Sequence, residues 1–141
     1  MANVLFLAGV YNIVWGSWTI LFPTLSFAYS GMQVADKPLL YPQLWQCIGM
    51  IVGVYGVGYA LAARDPMRHW PIVLVGLLGK VFGPLGVAFG VLTGQTPPDA
   101  LATIIPNDLI WWVPFSLILL HASRSSRITP RSAQSVAQFE K

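Results

Sequence analysis

The chain has 141 residues, of which 55% are hydrophobic, 13% aromatic and only 9% charged, with a formal net charge of +3. A soluble domain is about one-quarter charged, so these residues cannot clothe a water-soluble globule, and no nucleic-acid partner is expected. Cys47 is the single cysteine, which excludes an intrachain disulfide, a Cys-x-x-Cys redox pair and a thiolate metal cage.

The first apolar run, Val4 to Phe22, is uncharged and, at about 19 residues, long enough to span a bilayer. Met1-Ala2-Asn3 precedes it without a basic side chain, so it reads as a retained helix rather than a secretory signal. Asn12, Trp15, Ser17 and Thr19 give it a polar side, explained either by interhelical hydrogen bonds or, for Asn12 and Trp15, by a ligand. Gly9 and Gly16 offer small surface. The connection from Pro23 to Pro42 mixes Leu25, Phe27 and Tyr29 with Gly31 and Pro38, a composition suited to the membrane interface.

The second run, Leu44 to Ala63, stops at Arg64-Asp65-Pro66, where charge and proline mark an exit from lipid. The third, Trp70 to Leu92, is interrupted only by Lys80. The fourth is less regular. Leu109 to Leu120 is apolar but reaches only about 18 Å as a helix against a core of about 30 Å. It therefore continues to Ser123 and gains an interfacial turn before Pro106, with Asn107 or Asp108 capping the main helix.

These runs predict an all-α protein: an integral membrane four-helix bundle over residues 1–123, with spans of about 4–22, 44–63, 70–92 and 107–123, and a polar basic tail over 124–141. Arg64 and Arg68 share one side with Arg124, Arg127 and Arg131, whereas the opposite loops hold only Lys37, Asp36 and Asp99. The positive-inside rule puts that first side, and both termini, in the cytoplasm. The tail reads as a solvated terminus or as a basic segment on anionic headgroups.

Apolar burial gives helices little reason to associate inside lipid, so close packing must do more. Gly76, Gly79, Gly83, Gly86 and Gly90 recur at steps of three and four on the third span, which draws one smooth stripe along a helix. Gly49, Gly53 and Gly56, with Ala60 and Ala63, repeat the device on the second. The expectation is that these two consecutive spans pack backbone to backbone; the alternative use of such a stripe is a groove for a flat ligand. Pro84 should kink the third span and free a carbonyl one turn earlier, near Lys80.

Lys80 is the costly residue. A lysine at mid-span is charged about 2.5–3.5 kcal/mol on insertion scales. Three accounts stay open: a stem that snorkels to the surface, a buried ammonium paired with an acid or carbonyls, or a neutral amine. Asp108 is the acid within reach, and it serves as a helix cap, as the partner of Lys80, or as both. Trp111 and Trp112 follow one turn later. Belt anchoring is the default for them, as for Trp45 and Trp70, and a ring turned inward would meet Lys80 by a cation–π contact. Lys80, Asn107, Asp108, Trp111, Trp112, Asn12 and Trp15 are accordingly the candidate ligand-binding residues. His69 and His121 read as helix-end residues. No metal site and no cofactor is expected, and no phosphate loop, carboxylate pair or Ser-His-Asp set is present.

Four short spans, a long first loop and Ala62-Ala63-Arg64-Asp65-Pro66 closing the second span resemble the DoxX-like group of small bacterial membrane proteins. That resemblance implies a bacterial inner membrane and, for some members, a link to quinone-dependent redox systems. Asn107, Leu109, Trp111 and Pro114 are similar to the fourth helix of the EXPERA sterol-isomerase-like proteins, where the asparagine and tryptophan help line a lipophilic pocket. This chain departs from that pattern by having no acid in its first two spans.

The reading that follows is a non-catalytic membrane protein, either an accessory subunit or a lipid-handling bundle. Its partners are membrane lipids and a larger complex or further copies of itself. The rival is a membrane enzyme or transporter for a lipophilic or quinone-like substrate centred on Lys80.

Overall fold

A computed structural model of the chain describes residues 1–33 and 39–128. Among them the chain forms six α-helices: α1 (Ala2–Leu21), α2 (Pro23–Tyr29), α3 (Pro42–Ala62), α4 (Trp70–Leu92), α5 (Ala100–Ile104) and α6 (Ile110–Ile128), with a π-helical turn over Ile105–Leu109 joining the last two. Prolines open α2, α3 and α4 within their first turns, where a missing N–H costs no hydrogen bond. The described residues are all-α, and four helical stretches (α1, α3, α4 and Ala100–Arg124) are long and apolar enough to cross a membrane. Val14, Val54, Phe82 and Val113 point outward from them, an arrangement that lipid tolerates and water does not. These are the marks of an integral membrane protein.

The tightest contact joins α1 to α3, antiparallel, through bare backbone. A Cβ placed on Gly16 would lie 2.5 Å from the Gly49 carbonyl oxygen, and one on Gly56 would lie 2.7 Å from that of Gly9. Only glycine permits such an approach. This corrects the expected pairing of the second and third spans. The α3 stripe is consumed by Gly9 and Gly16, whose spacing of seven matches Gly49 and Gly56. On α4, Gly76 receives the ring of Tyr59 and Gly90 the side chain of Thr96, whereas space is open beside Gly79 and Gly86, and Gly83 meets only Asp108 Oδ2.

The helices close most fully at the end that holds the N-terminus and the α3–α4 link. Leu5 and Ala8 from α1, Tyr59 and Ala62 from α3, Val73 from α4, and Phe115 and Ile118 from α6 form one core there. Tyr59 stands edge-on to Phe115 at 5.1 Å. The opposite, loop end is built differently. There α2 folds back so that Ser26 Oγ accepts a hydrogen bond from Trp45 Nε1 at 2.9 Å. Gly31, at φ +69°, brings the first loop against Asp99 and Ala100 so closely that a Cβ would lie 2.7 Å from the Asp99 carbonyl carbon. The last helix runs on to Ile128; of the expected tail over 124–141, residues 129–141, Arg131 among them, lie outside the described residues, as do Asp36, Lys37 and Pro38.

Candidate functional site

The fourth span enters the site by an unexpected route. Asn107 and Asp108 do not begin a helix: they lie in the π turn of a helical run continuous from Ala100, and neither side chain caps an end. Pro106 supplies the reason. Lacking an N–H, it cannot close the α-helical ladder, and a wide turn takes up the extra residue. Backbone oxygen is thereby turned away from the helix axis and toward α4.

That oxygen meets Lys80, which is 8% exposed. Its ammonium donates to the Asn107 carbonyl oxygen and to Asn12 Oδ1, the latter at 3.4 Å. Asp108 Oδ1 lies 3.5 Å away and completes an ion pair. The stem therefore does not snorkel; the charge is held inside, among three acceptors. Burial of an ammonium is tolerable only under such compensation. The shell beyond is also bonded. The Tyr11 hydroxyl donates to Asn107 Oδ1. The carbonyl of Lys80, left without a backbone donor by Pro84, accepts from Trp112 Nε1 at 2.9 Å.

Two cavities meet at this group. The larger, about 280 Å³, extends toward the loop end between Trp15, Trp45, Ile48 and Val87, and Gly79 and Gly83 form part of its wall. The smaller, about 210 Å³, extends the other way between Val52, Tyr55, Tyr59 and Gly76. Asn12, Lys80 and Asp108 line both, so they form the partition between them. Both walls are otherwise mainly apolar, as small-molecule sites are, with a few convergent polar groups.

Comparison with protein-family models, curated proteins and solved structures finds no match.

The structure brings Asn12, Trp15, Lys80, Asn107 and Asp108 to the larger cavity. Trp112 touches the site from behind, through its indole N–H and the Lys80 backbone rather than by its ring face. Trp111 is not in the cavity wall: it stacks at a tilt on Tyr11, 5.9 Å between ring centroids, and its Nε1 donates to the Pro106 carbonyl. Trp45, expected as a belt anchor, is buried in the cavity wall, edge-on to Trp15 at 5.8 Å. Tyr11, Tyr55 and Tyr59 were not singled out by sequence. Tyr11 stands beside Asn12 and one turn before Trp15, the one signal that would have found it. Among the described residues no three His, Cys, Asp or Glu side chains gather where a metal ion would sit.

Proposed function

We propose that the chain is a small polytopic membrane protein, a four-helix bundle with both termini in the cytoplasm, that holds a lipophilic ligand in the cavity around Lys80. It handles that ligand rather than transforming it. One observation carries the reading: the Lys80 ammonium, buried midway along a span, lines a largely apolar cavity between the helices. A purely structural lysine needs its acceptors but needs no cavity beside them. The orientation follows from the basic residues between the second and third spans and after the fourth, and the DoxX-like layout favours a bacterial inner membrane. Membrane lipids are the nearest source of ligand, with a larger complex or further copies of the chain as protein partners. A second reading, passage of the same ligand across the molecule, is favoured by the wall that the two cavities share.

The test is native purification. The chain, isolated in lipid nanodiscs and extracted, is expected to release a lipophilic compound identifiable by mass spectrometry. Lys80→Met should retain less than about one-tenth of it at unchanged helix content by circular dichroism. Retention of the ligand by a folded Lys80→Met protein would overturn the reading. If that variant fails to fold, Lys80→Met combined with Asp108→Asn, which leaves no unpaired charge, answers the same question.

A further inference from the structure

The ammonium of Lys80 has three protons, and three acceptors already surround it: Asn12 Oδ1, the Asn107 carbonyl and Asp108 Oδ1. A ligand therefore gains nothing from Lys80 without displacing one of them. The atoms with capacity to spare are the other halves of its partners. Asn12 is 3% exposed; its Oδ1 faces the ammonium, so its amide Nδ2 is turned elsewhere, with no acceptor among the described residues. Asp108 Oδ2 lies on the Gly83 side, where a Cβ on that glycine would come within 3.8 Å of it, and no donor among the described residues reaches it. Among the described residues, the partition thus presents an unused donor on Asn12 and an unused acceptor on Asp108, and the Asn107 amide in the cavity wall adds a second donor.

Charge points the same way. Among the described residues, Lys80 and Asp108 are the only charged side chains lining either cavity, and they neutralise each other. A carboxylate head could reach the ammonium only by evicting Asp108, leaving that anion buried and unpaired; an amine head would do the converse to Lys80. A carboxylate also has no proton for Asp108 Oδ2, and an ammonium has no lone pair for Asn12 Nδ2. A hydroxyl has both.

Resting on the ligand-binding reading above, we infer that the ligand is an uncharged single-chain lipophile with a hydroxyl head, which accepts from Asn12 and donates to Asp108. Its chain lies in the α3–α4 cleft. Ile48 and Val52 of α3 and Gly79, Gly83 and Val87 of α4 line the larger cavity on one side of the partition, and Tyr55 and Gly76 line the smaller on the other. Beyond it, an open groove passes Tyr55 and Ile72. The glycines of α4 that meet no helix supply its smooth floor.

The experiment offers the nanodisc-held protein an equimolar mixture of dodecanol, dodecanoate and dodecylamine and reads the retained adducts by native mass spectrometry. The native chain should retain dodecanol over either charged competitor by about tenfold or more. Asp108→Asn, with the ammonium unopposed, should move the preference to dodecanoate, and Lys80→Gln should move it to dodecylamine. A native chain that prefers a charged probe, or an Asp108→Asn protein that keeps the native ranking, overturns this inference alone. Retention of none of the three by the native chain overturns the ligand-binding reading together with it. If one variant fails to fold, the native ranking and the other variant still decide.

Discussion

The α1–α3 and α4–α6 contacts solve the same problem by opposite means. Along α1–α3, Gly9 faces Gly56 and Gly16 faces Gly49, and the backbones touch. Between α4 and α6 each helix holds an internal proline, Pro84 and Pro114, and the contact is organised by hydrogen bonds to Lys80 and its carbonyl. The first brings backbone against backbone; the second leaves a charge and its acceptors to line cavities that reach α1 and α3. The difference teaches that small residues do not define a packing surface by themselves. A glycine row makes a seam only when a second row of matching pitch lies opposite, and otherwise makes a floor.

Three substitutions sharpen that contrast. The largest effect is expected from Gly16→Ala, whose new methyl would stand 2.5 Å from backbone oxygen on α3. Backbone cannot swing aside as a side chain does, so the cost should approach about 3 kcal/mol, the upper part of the range for overpacking, read from reversible unfolding in sodium dodecyl sulfate. Next, Trp112→Phe leaves the Lys80 carbonyl without the donor that stands in for the one Pro84 lacks. A loss of about 1 kcal/mol follows from an unpaired buried acceptor, together with weaker ligand retention as α4 and α6 loosen around the site. The smallest effect belongs to Gly79→Ala. It is chemically identical to the first substitution but opens onto empty space, and stability should stay within about 0.5 kcal/mol. Comparable losses for Gly16→Ala and Gly79→Ala would erase the distinction between seam and floor.

The four apolar runs were legible because a bilayer demands length and hydrophobicity, both of which are local properties. α3 and α4 lie close to the expected runs for that reason. Which helices meet is not local. The glycine rows of the second and third spans look alike, and nothing in their composition says that Gly49 and Gly56 face α1 while Gly79 faces a cavity. The site was half legible. Lys80 and Asp108 announce themselves by cost, since either residue within a span requires compensation. The role of Asn107 was misread, because proline followed by Asn-Asp is also how a helix begins. The competing outcome, a proline accommodated inside a continuous helix by a wide turn, depends on what α4 presents opposite it. Tyr55 and Tyr59 lie inside an uncharged run whose composition does not say which face turns inward, so neither gave a sign of lining the smaller cavity.

The π turn over Ile105–Leu109 has a consequence for how this chain tolerates change in length. It holds one residue more than an α-helical turn, so deletion of a single residue there would leave a regular, unbroken helix that still spans the membrane. The flanking segments would keep their relative rotation, because the wide turn had already absorbed the extra residue, but the Asn107 carbonyl would return to the helical ladder and be lost to Lys80 while Phe115 kept its place in the core. A one-residue deletion would thus be nearly silent for insertion and ruinous for the site, the reverse of what a deletion in the α1–α3 seam would do.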